Sequence, residues 1–152
     1  CNGDSNGDLM RRLRELNPDS EISECRHCPR HLQDVYTGER HPLEQLEGTK
    51  VAAVSGIAAP AGVEEELTKR GARIIHSKRY PDHHRYSQQE IIEFINGSLA
   101  AGAEAILTTE KDAVRFPLIE RRDLPIYFLR VEIEMLSGVD AFHDWIARIC
   151  FR

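Results

Sequence analysis

The sequence has no apolar run long enough to span a membrane, and no stretch with the build of a secretory leader. Cysteine is scarce: the four residues at 1, 25, 28 and 150 are too few and too unevenly spaced for a disulfide scaffold. A reducing cytoplasm is therefore the expected setting. Positive charge is not in surplus either. Twenty Lys and Arg against 25 Asp and Glu leave a formal charge of −5, which excludes a general nucleic-acid binder, because phosphate neutralisation needs an excess of cations. There is no internal repeat and no low-complexity segment. There is also no Gly-rich loop ending in Gly-Lys-Ser/Thr, so nothing in the chain is expected to hold a nucleoside triphosphate unaided. An initiator Met is missing at Cys1, and Asn2-Gly3-Asp4 leads straight into helical sequence, the expected look of a piece excised from a longer protein.

What remains is a chain of 152 residues with 41% hydrophobic and 30% charged side chains, enough for one globular domain with a real core. A single α/β domain over 1–152 is expected, with a looser lead-in and crossover over 1–48 and a core over 49–152. Helix is expected over Asp8–Leu16, with Leu9, Leu13 and Leu16 on one face, and a short strand over Glu21–Cys25. Arg26 to Gly48 is polar and broken by Pro29 and Pro42, so it is expected to be irregular, with one helical turn near Leu43–Leu46.

From Lys50 the pattern sharpens. Val51–Val54 is an apolar run of the kind a fully buried strand shows, and Pro60 suits the first turn of a helix that Gly71 closes. Arg73–His76 and Ala103–Leu107 are further short strands expected to be buried, separated by a helix over Gln88–Ala101 that carries Ile91, Ile92, Phe94, Ile95 and Leu99 toward a core. Thr109 is placed to cap a brief helix, and Pro125–Val131 and Asp140–Ile149 supply a last strand and a last helix. Helices alternating with apolar strands imply a mainly parallel sheet of about five strands with helices on both faces, a Rossmann-like three-layer sandwich. The loops after Val54, His76 and Leu107 all leave strand ends, so they should gather on one edge, where open parallel sheets bind ligands.

The middle loop holds the densest chemistry. Asp82-His83-His84 is flanked by Lys78, Arg79 and Arg85 and by Tyr80 and Tyr86, and Ser87-Gln88-Gln89-Glu90 has the form of a capping box opening the next helix. Its basic balance points to an anionic ligand at this place on an acidic chain. Asp-His-His admits three readings. One is a metal site of the phosphoesterase kind, which would need further aspartates at other strand ends that this chain does not offer. Another is a histidine acting as base or orienting a carboxylate. The third is a structural loop. Thr109-Glu110-Lys111-Asp112 is either a capped, charge-decorated first turn or a place where Lys111 meets an anion. Gly56-Ile57-Ala58-Ala59-Pro60 resembles a phosphate-cradling turn, but it has one glycine, and Glu64, Glu65 and Glu66 compete for the helix dipole. A structural turn is expected. Cys25-Arg26-His27-Cys28 hints at zinc, with His31 and His41 beyond, yet it is a lone knuckle, so neither a metal nor a redox pair is expected there.

Three stretches taken in order carry a family resemblance: Ser55–Pro60, Tyr80-Pro81-Asp82-His83-His84-Arg85-Tyr86, and Thr108-Thr109-Glu110-Lys111-Asp112-Ala113-Val114. Together they resemble the C-terminal half of the tetraacyldisaccharide 4'-kinases, the lipid A 4'-kinases of Gram-negative bacteria, best from Lys50 onward. The resemblance implies transfer of the ATP γ-phosphate to the 4'-hydroxyl of the lipid A disaccharide precursor, at the cytoplasmic face of the inner membrane. It implies ATP and Mg²⁺ held mainly by a P-loop half that is absent here and that also supplies a carboxylate base. This chain alone would then be inactive. Asp82 and His83 become the catalytic contribution of this half, with His83 hydrogen-bonding the base; His83 is preferred to His84 because it directly follows Asp82. His84, Arg85, Lys111 and Asp112 become substrate contacts. The implied partners are the lipid precursor, ATP, the P-loop half and, through the whole protein, the membrane surface, with no nucleic acid. The rival expectations are a free-standing ligand-binding α/β module and a metal-dependent phosphoesterase.

Overall fold

A computed structural model describes residues 6–151; Cys1 and the Asn2-Gly3-Asp4 lead lie outside them. The chain falls into two compact units, Pro29–Val131 and the pair of segments Cys1–Cys28 and Glu132–Arg152. The lead-in expected over 1–48 thus divides between the two.

The larger unit carries the sheet that positions the site. Its central strands are β3 (Lys50–Ser55), β4 (Arg73–Arg79) and β5 (Ala105–Thr109), joined by helices α2 (Pro60–Lys69) and α3 (Gln88–Ala100). β3 pairs in parallel with β4 on one side, from Lys50↔Arg73 to Ser55↔Arg79, and with β5 on the other, from Val51↔Ala105 to Ala53↔Leu107. β6 (Ile126–Ser137) continues the parallel run, with Ile106 opposite Ile126 and Thr109 opposite Leu129. The full order among the described residues is β2-β1-β6-β5-β3-β4, with β1 at Glu24–Asp34 and β2 at Arg40–His41. The mainly parallel sheet is as expected, but it has six strands.

The sixth strand arises where the sequence points to irregular chain. Arg26 to Asp34 is strand, and it turns back to pair antiparallel with β2 through Leu32↔His41 and Gln33↔Arg40. Only Leu32 of β1 is buried, so this strand lacks the apolar alternation by which a half-buried strand announces itself. The helical turn expected nearby is present as a 3-10 turn at Leu43–Leu46, with Leu46 buried.

Side chains alternate across β3, and both faces are covered. Val51 and Ala53 pack with Leu67 of α2, Leu107 and Leu129; Ala52 and Val54 pack with Ile91, Phe94 and Ile95 of α3 and with Ile106 and Ile126. Two helices on opposite faces follow from β3's having β4 on one side and β5 on the other: the chain reverses its direction across the sheet at β3, and the crevice between β3 and β5 opens there. The helix α3 begins with the expected capping box, Glu90 N–H donating to the Ser87 hydroxyl while Ser87 N–H donates to the Glu90 carboxylate. Its Leu99 faces outward, against expectation, and Ser98 is buried instead, its hydroxyl donating to Phe94 O at 2.7 Å. Gly97, a poor helix residue, is explained by packing: a Cβ there would lie 3.2 Å from His76 Nε2.

In the smaller unit, α1 (Gly7–Leu16) and α5 (Val139–Cys150) have no buried residue. No helix among the described residues is long and apolar enough to cross a membrane.

Candidate functional site

Parallel strands deliver their following loops to one edge, and here backbone hydrogen bonds tie those loops together. Tyr80 N–H donates to Ser55 O at 2.8 Å and His83 N–H to Gly56 O at 3.1 Å, laying the loop after β4 along the loop after β3. Gly56 N–H in turn donates to Asp112 Oδ2 at 3.1 Å, which fastens the segment after β5 to the same point. The three loops gather as their strand ends predict.

Asp112 is the knot. It sits in the short helix α4 (Glu110–Ala113), capped by Thr109, whose hydroxyl oxygen accepts from Asp112 N–H at 3.1 Å while donating to Asp112 Oδ2 at 2.7 Å. Its side chain is 0% exposed, so the substrate contact expected of it gives way to an internal role. Gly56 is shaped to this knot. A Cβ on Gly56 would lie 2.9 Å from the Tyr86 hydroxyl and 3.2 Å from Asp112 Oδ1, so only glycine lets the strands approach. Because the Gly56 N–H is spent on a carboxylate, the turn is not a phosphate cradle. The Gly56 turn therefore does not fit a bound triphosphate. Burial, and next the Asp112 charge, push the Tyr86 hydroxyl well above its ordinary range, so Tyr86 stays a neutral phenol.

Tyr86 also closes a cluster of rings. Tyr80 stacks on His84 at 4.3 Å, and Tyr86 meets His84 edge-on at 5.0 Å and Phe116 at 4.7 Å. His84 Nε2 lies 3.0 Å from Glu90 Oε1, joining the ring to the capping box of α3. His84 is thereby half-buried and committed to the start of a helix.

Outside this layer, five groups remain within reach of solvent. Lys111 Nζ donates to Asp82 Oδ1 at 3.0 Å. His83 stands in the left-handed region with φ 63°, its side chain 68% exposed and its Nε2 3.5 Å from Asp82 Oδ2. Arg115 Nη2 donates to His83 Nδ1 at 3.0 Å. Arg85 is exposed and makes no side-chain hydrogen bond or ion pair among the described residues. Glu110, the remaining acid of its segment, pairs with Arg130 on β6.

Lys111 first, and then the His83 ring and backbone N–H, hold the Asp82 carboxyl below the usual aspartate range. A depressed carboxyl contributes its pairing energy above its unfolded value and loses it as pH falls through the lowered folded value. The Asp82–Lys111 pair is thus whole at neutral pH and breaks only in acid. Lys111→Met is expected to move the Asp82 titration upward toward the ordinary range, followed by its carboxyl carbon signal in NMR. An unmoved titration would show that Lys111 is not the partner.

The structure therefore brings Asp82, His83 and Lys111 together, leaves Arg85 free beside them, and draws Asp112 and His84 inside. Arg115 was not anticipated, although its i,i+3 spacing from Asp112 on a helical segment is a readable signal. Cys25 and Cys28 lie on β1 at an odd spacing, which turns them to opposite faces of the strand. Among the described residues no three His, Cys, Asp or Glu side chains are grouped to hold a metal ion.

Comparison with known proteins follows the same lines. The description of the family Tetraacyldisaccharide-1-P 4'-kinase matches residues 4–150. A tetraacyldisaccharide 4'-kinase of Anaeromyxobacter dehalogenans (strain 2CP-C) is 37% identical over 126 residues, 82% of this chain and 33% of that protein. One from Syntrophus aciditrophicus is 33% identical over 133 residues, 88% of this chain and 34% of its own length. The chain spans about a third of the length of these relatives. The crystal structure of LpxK from Aquifex aeolicus, described as an "apo" form in complex with ATP, shares the fold with a TM-score of 0.54 at 18% identity, over 93% of this chain and 44% of that one.

Proposed function

The chain belongs to the tetraacyldisaccharide-1-P 4'-kinase family, and from that membership we propose that it forms the C-terminal part of a lipid A 4'-kinase. The whole protein would transfer the γ-phosphate of ATP to the 4'-hydroxyl of the tetraacyl disaccharide precursor, at the cytoplasmic face of the inner membrane. ATP and Mg²⁺ would be held by residues outside this chain, in keeping with a Gly56 turn whose N–H is already spent.

The observation that carries the reading is an exposed histidine on a tightly fastened edge. Everything behind His83 is tied down: Gly56, Asp112, Tyr86 and the start of α3. The His83 ring itself stands at the carboxyl ends of β3 and β5. Its Nε2, 3.5 Å from Asp82 Oδ2, is beyond a good hydrogen bond, so an N–H there is left to donate to a carboxylate brought from the other part of the protein. In that role His83 orients the base that takes the sugar hydroxyl proton. Asp82 keeps the ring's edge in an anionic field, and Lys111 and Arg85 supply cations for the anionic lipid. Phosphoryl transfer depends on such positioning and charge stabilisation more than on covalent chemistry by the protein. Asp112 and His84 hold the loops in place.

The test is a transfer assay with ATP labelled in the γ-phosphate and the disaccharide lipid as acceptor. The full-length protein is expected to label the 4' position, and this chain alone to label nothing. Turnover by the isolated chain would sink the proposal, as would a full-length protein that labels no lipid.

A further inference from the structure

We propose that Arg115 is a positioning residue for His83: it fixes which ring nitrogen accepts and which carries the proton, and it is itself aimed by the buried Asp112. The inference rests on the proposed kinase role of His83 for its catalytic consequence, though not for its geometry.

A guanidinium has five N–H donors and no acceptor. Arg115 Nη2 lies 3.0 Å from His83 Nδ1, so in the neutral ring Nδ1 must accept and the proton must reside on Nε2. Nε2 is the nitrogen on the Asp82 side, the one left over for another partner. The arginine is not a passing surface group. Its side chain is 23% exposed against 68% for His83. Its Nη1 lies 3.9 Å from Asp112 Oδ1, and neither atom has a hydrogen-bond partner. In a dry setting that charge pair orients the guanidinium without a formal hydrogen bond. The backbone helps, because Arg115 N–H donates to Asp112 O at 2.8 Å and turns the chain back toward its own carboxylate.

The result is a line of contacts from Gly56 N–H and Thr109 through Asp112 and Arg115 to an exposed imidazole. Folding alone has no need to order a ring that solvent surrounds. Ordering it makes sense where a proton must sit on one nitrogen before a partner arrives. Lysine in place of Arg115 would supply a point charge but not the flat fork that reaches Asp112 and His83 together.

Ring ¹⁵N NMR of this chain, at a pH where His83 is neutral, should show Nε2 protonated and Nδ1 unprotonated. Arg115→Met should move the pair toward the averaged values of a free side chain, while His84 and the core amides stay put. In the full-length kinase, Arg115→Met should lower kcat about 10- to 100-fold, the scale of a misplaced reacting group, with KM for ATP unchanged. The loss should vanish when Arg115→Met is made on a His83→Ala background, because a residue that acts through the ring has nothing left to act on. Arg115→Lys should recover part of the loss.

A wild-type ring protonated on Nδ1 would overturn the proposal without any variant, which covers the case of Arg115→Met failing to fold. An unmoved ring signal in Arg115→Met would overturn it too, and so would a loss that persists in full without His83. An inert His83→Ala would instead defeat the kinase reading, leaving the NMR arm to decide the contact.

Discussion

His83→Ala in the full-length kinase is expected to lower kcat by about 10² or more, the scale of lost acid–base assistance. KM for ATP should hold, because on the proposed reading ATP is held by residues outside this chain. Stability should hold as well. The His83 side chain is exposed, its one close hydrogen bond runs to Arg115, and the backbone bonds that fasten the loop survive the substitution. His84→Ala should behave in the opposite way, losing the contact with Glu90 and the stack on Tyr80, with stability falling more than turnover. Steady-state kinetics and chemical denaturation on both variants separate the two histidines. If His84→Ala abolished turnover with its fold intact while His83→Ala did not, the assignment within the pair would be reversed. If neither altered turnover, the loop would be only a surface.

Asp112→Ala is expected to cost about 3 kcal/mol of stability, seen as a lower denaturation midpoint of this chain. Three groups would lose a buried acceptor or counter-charge together: Gly56 N–H, the Thr109 hydroxyl and the Arg115 guanidinium. Asp112→Asn should cost less, since its oxygen can still accept from Gly56 and Thr109, but its amide would present donors toward Arg115. Gly56→Ala should loosen the same knot from the other side by about 1–3 kcal/mol, because Tyr86 is enclosed and its hydroxyl has nowhere to retreat. A midpoint unchanged in Asp112→Ala would show that the three loops stand without their shared carboxylate.

How much of this was legible in the sequence depends on the length scale of the signal. β3 and β5 are short apolar runs punctuated by Gly56, Pro60 and Gly102, and local chemistry of that kind can be read directly. So can the Ser87–Glu90 capping box and the Thr109 cap. β4 forms after Gly71 as expected, but at the sheet edge it buries none of its residues, against the buried strand its Ile74-Ile75 pair suggests. Most of β1 could not be read: the expected strand over Glu21–Cys25 touches only its start, and its ten other positions around Leu32 are held by pairing within the sheet and not by burial of an apolar face. At the site, Asp82, His83 and Lys111 announce themselves by residue type. The inward turn of Asp112 does not, since nothing local distinguishes a buried aspartate from a ligand-facing one. Only the close approach of Gly56, some fifty residues away in sequence, decides it. The spacing of Arg115 from Asp112 is readable, but its reach to His83 is not, because that contact joins two different loops.

The left-handed backbone at His83, with φ 63°, carries an evolutionary consequence. A side chain with a Cβ holds that conformation at a cost of about 1–2 kcal/mol, which glycine escapes. A library at position 83 selected for thermal stability alone would therefore enrich glycine, with asparagine behind it. On the proposed reading, a library in the full-length protein selected for phosphoryl transfer would enrich histidine. The distance between those two winners would measure how far this position is kept for chemistry at the expense of the fold.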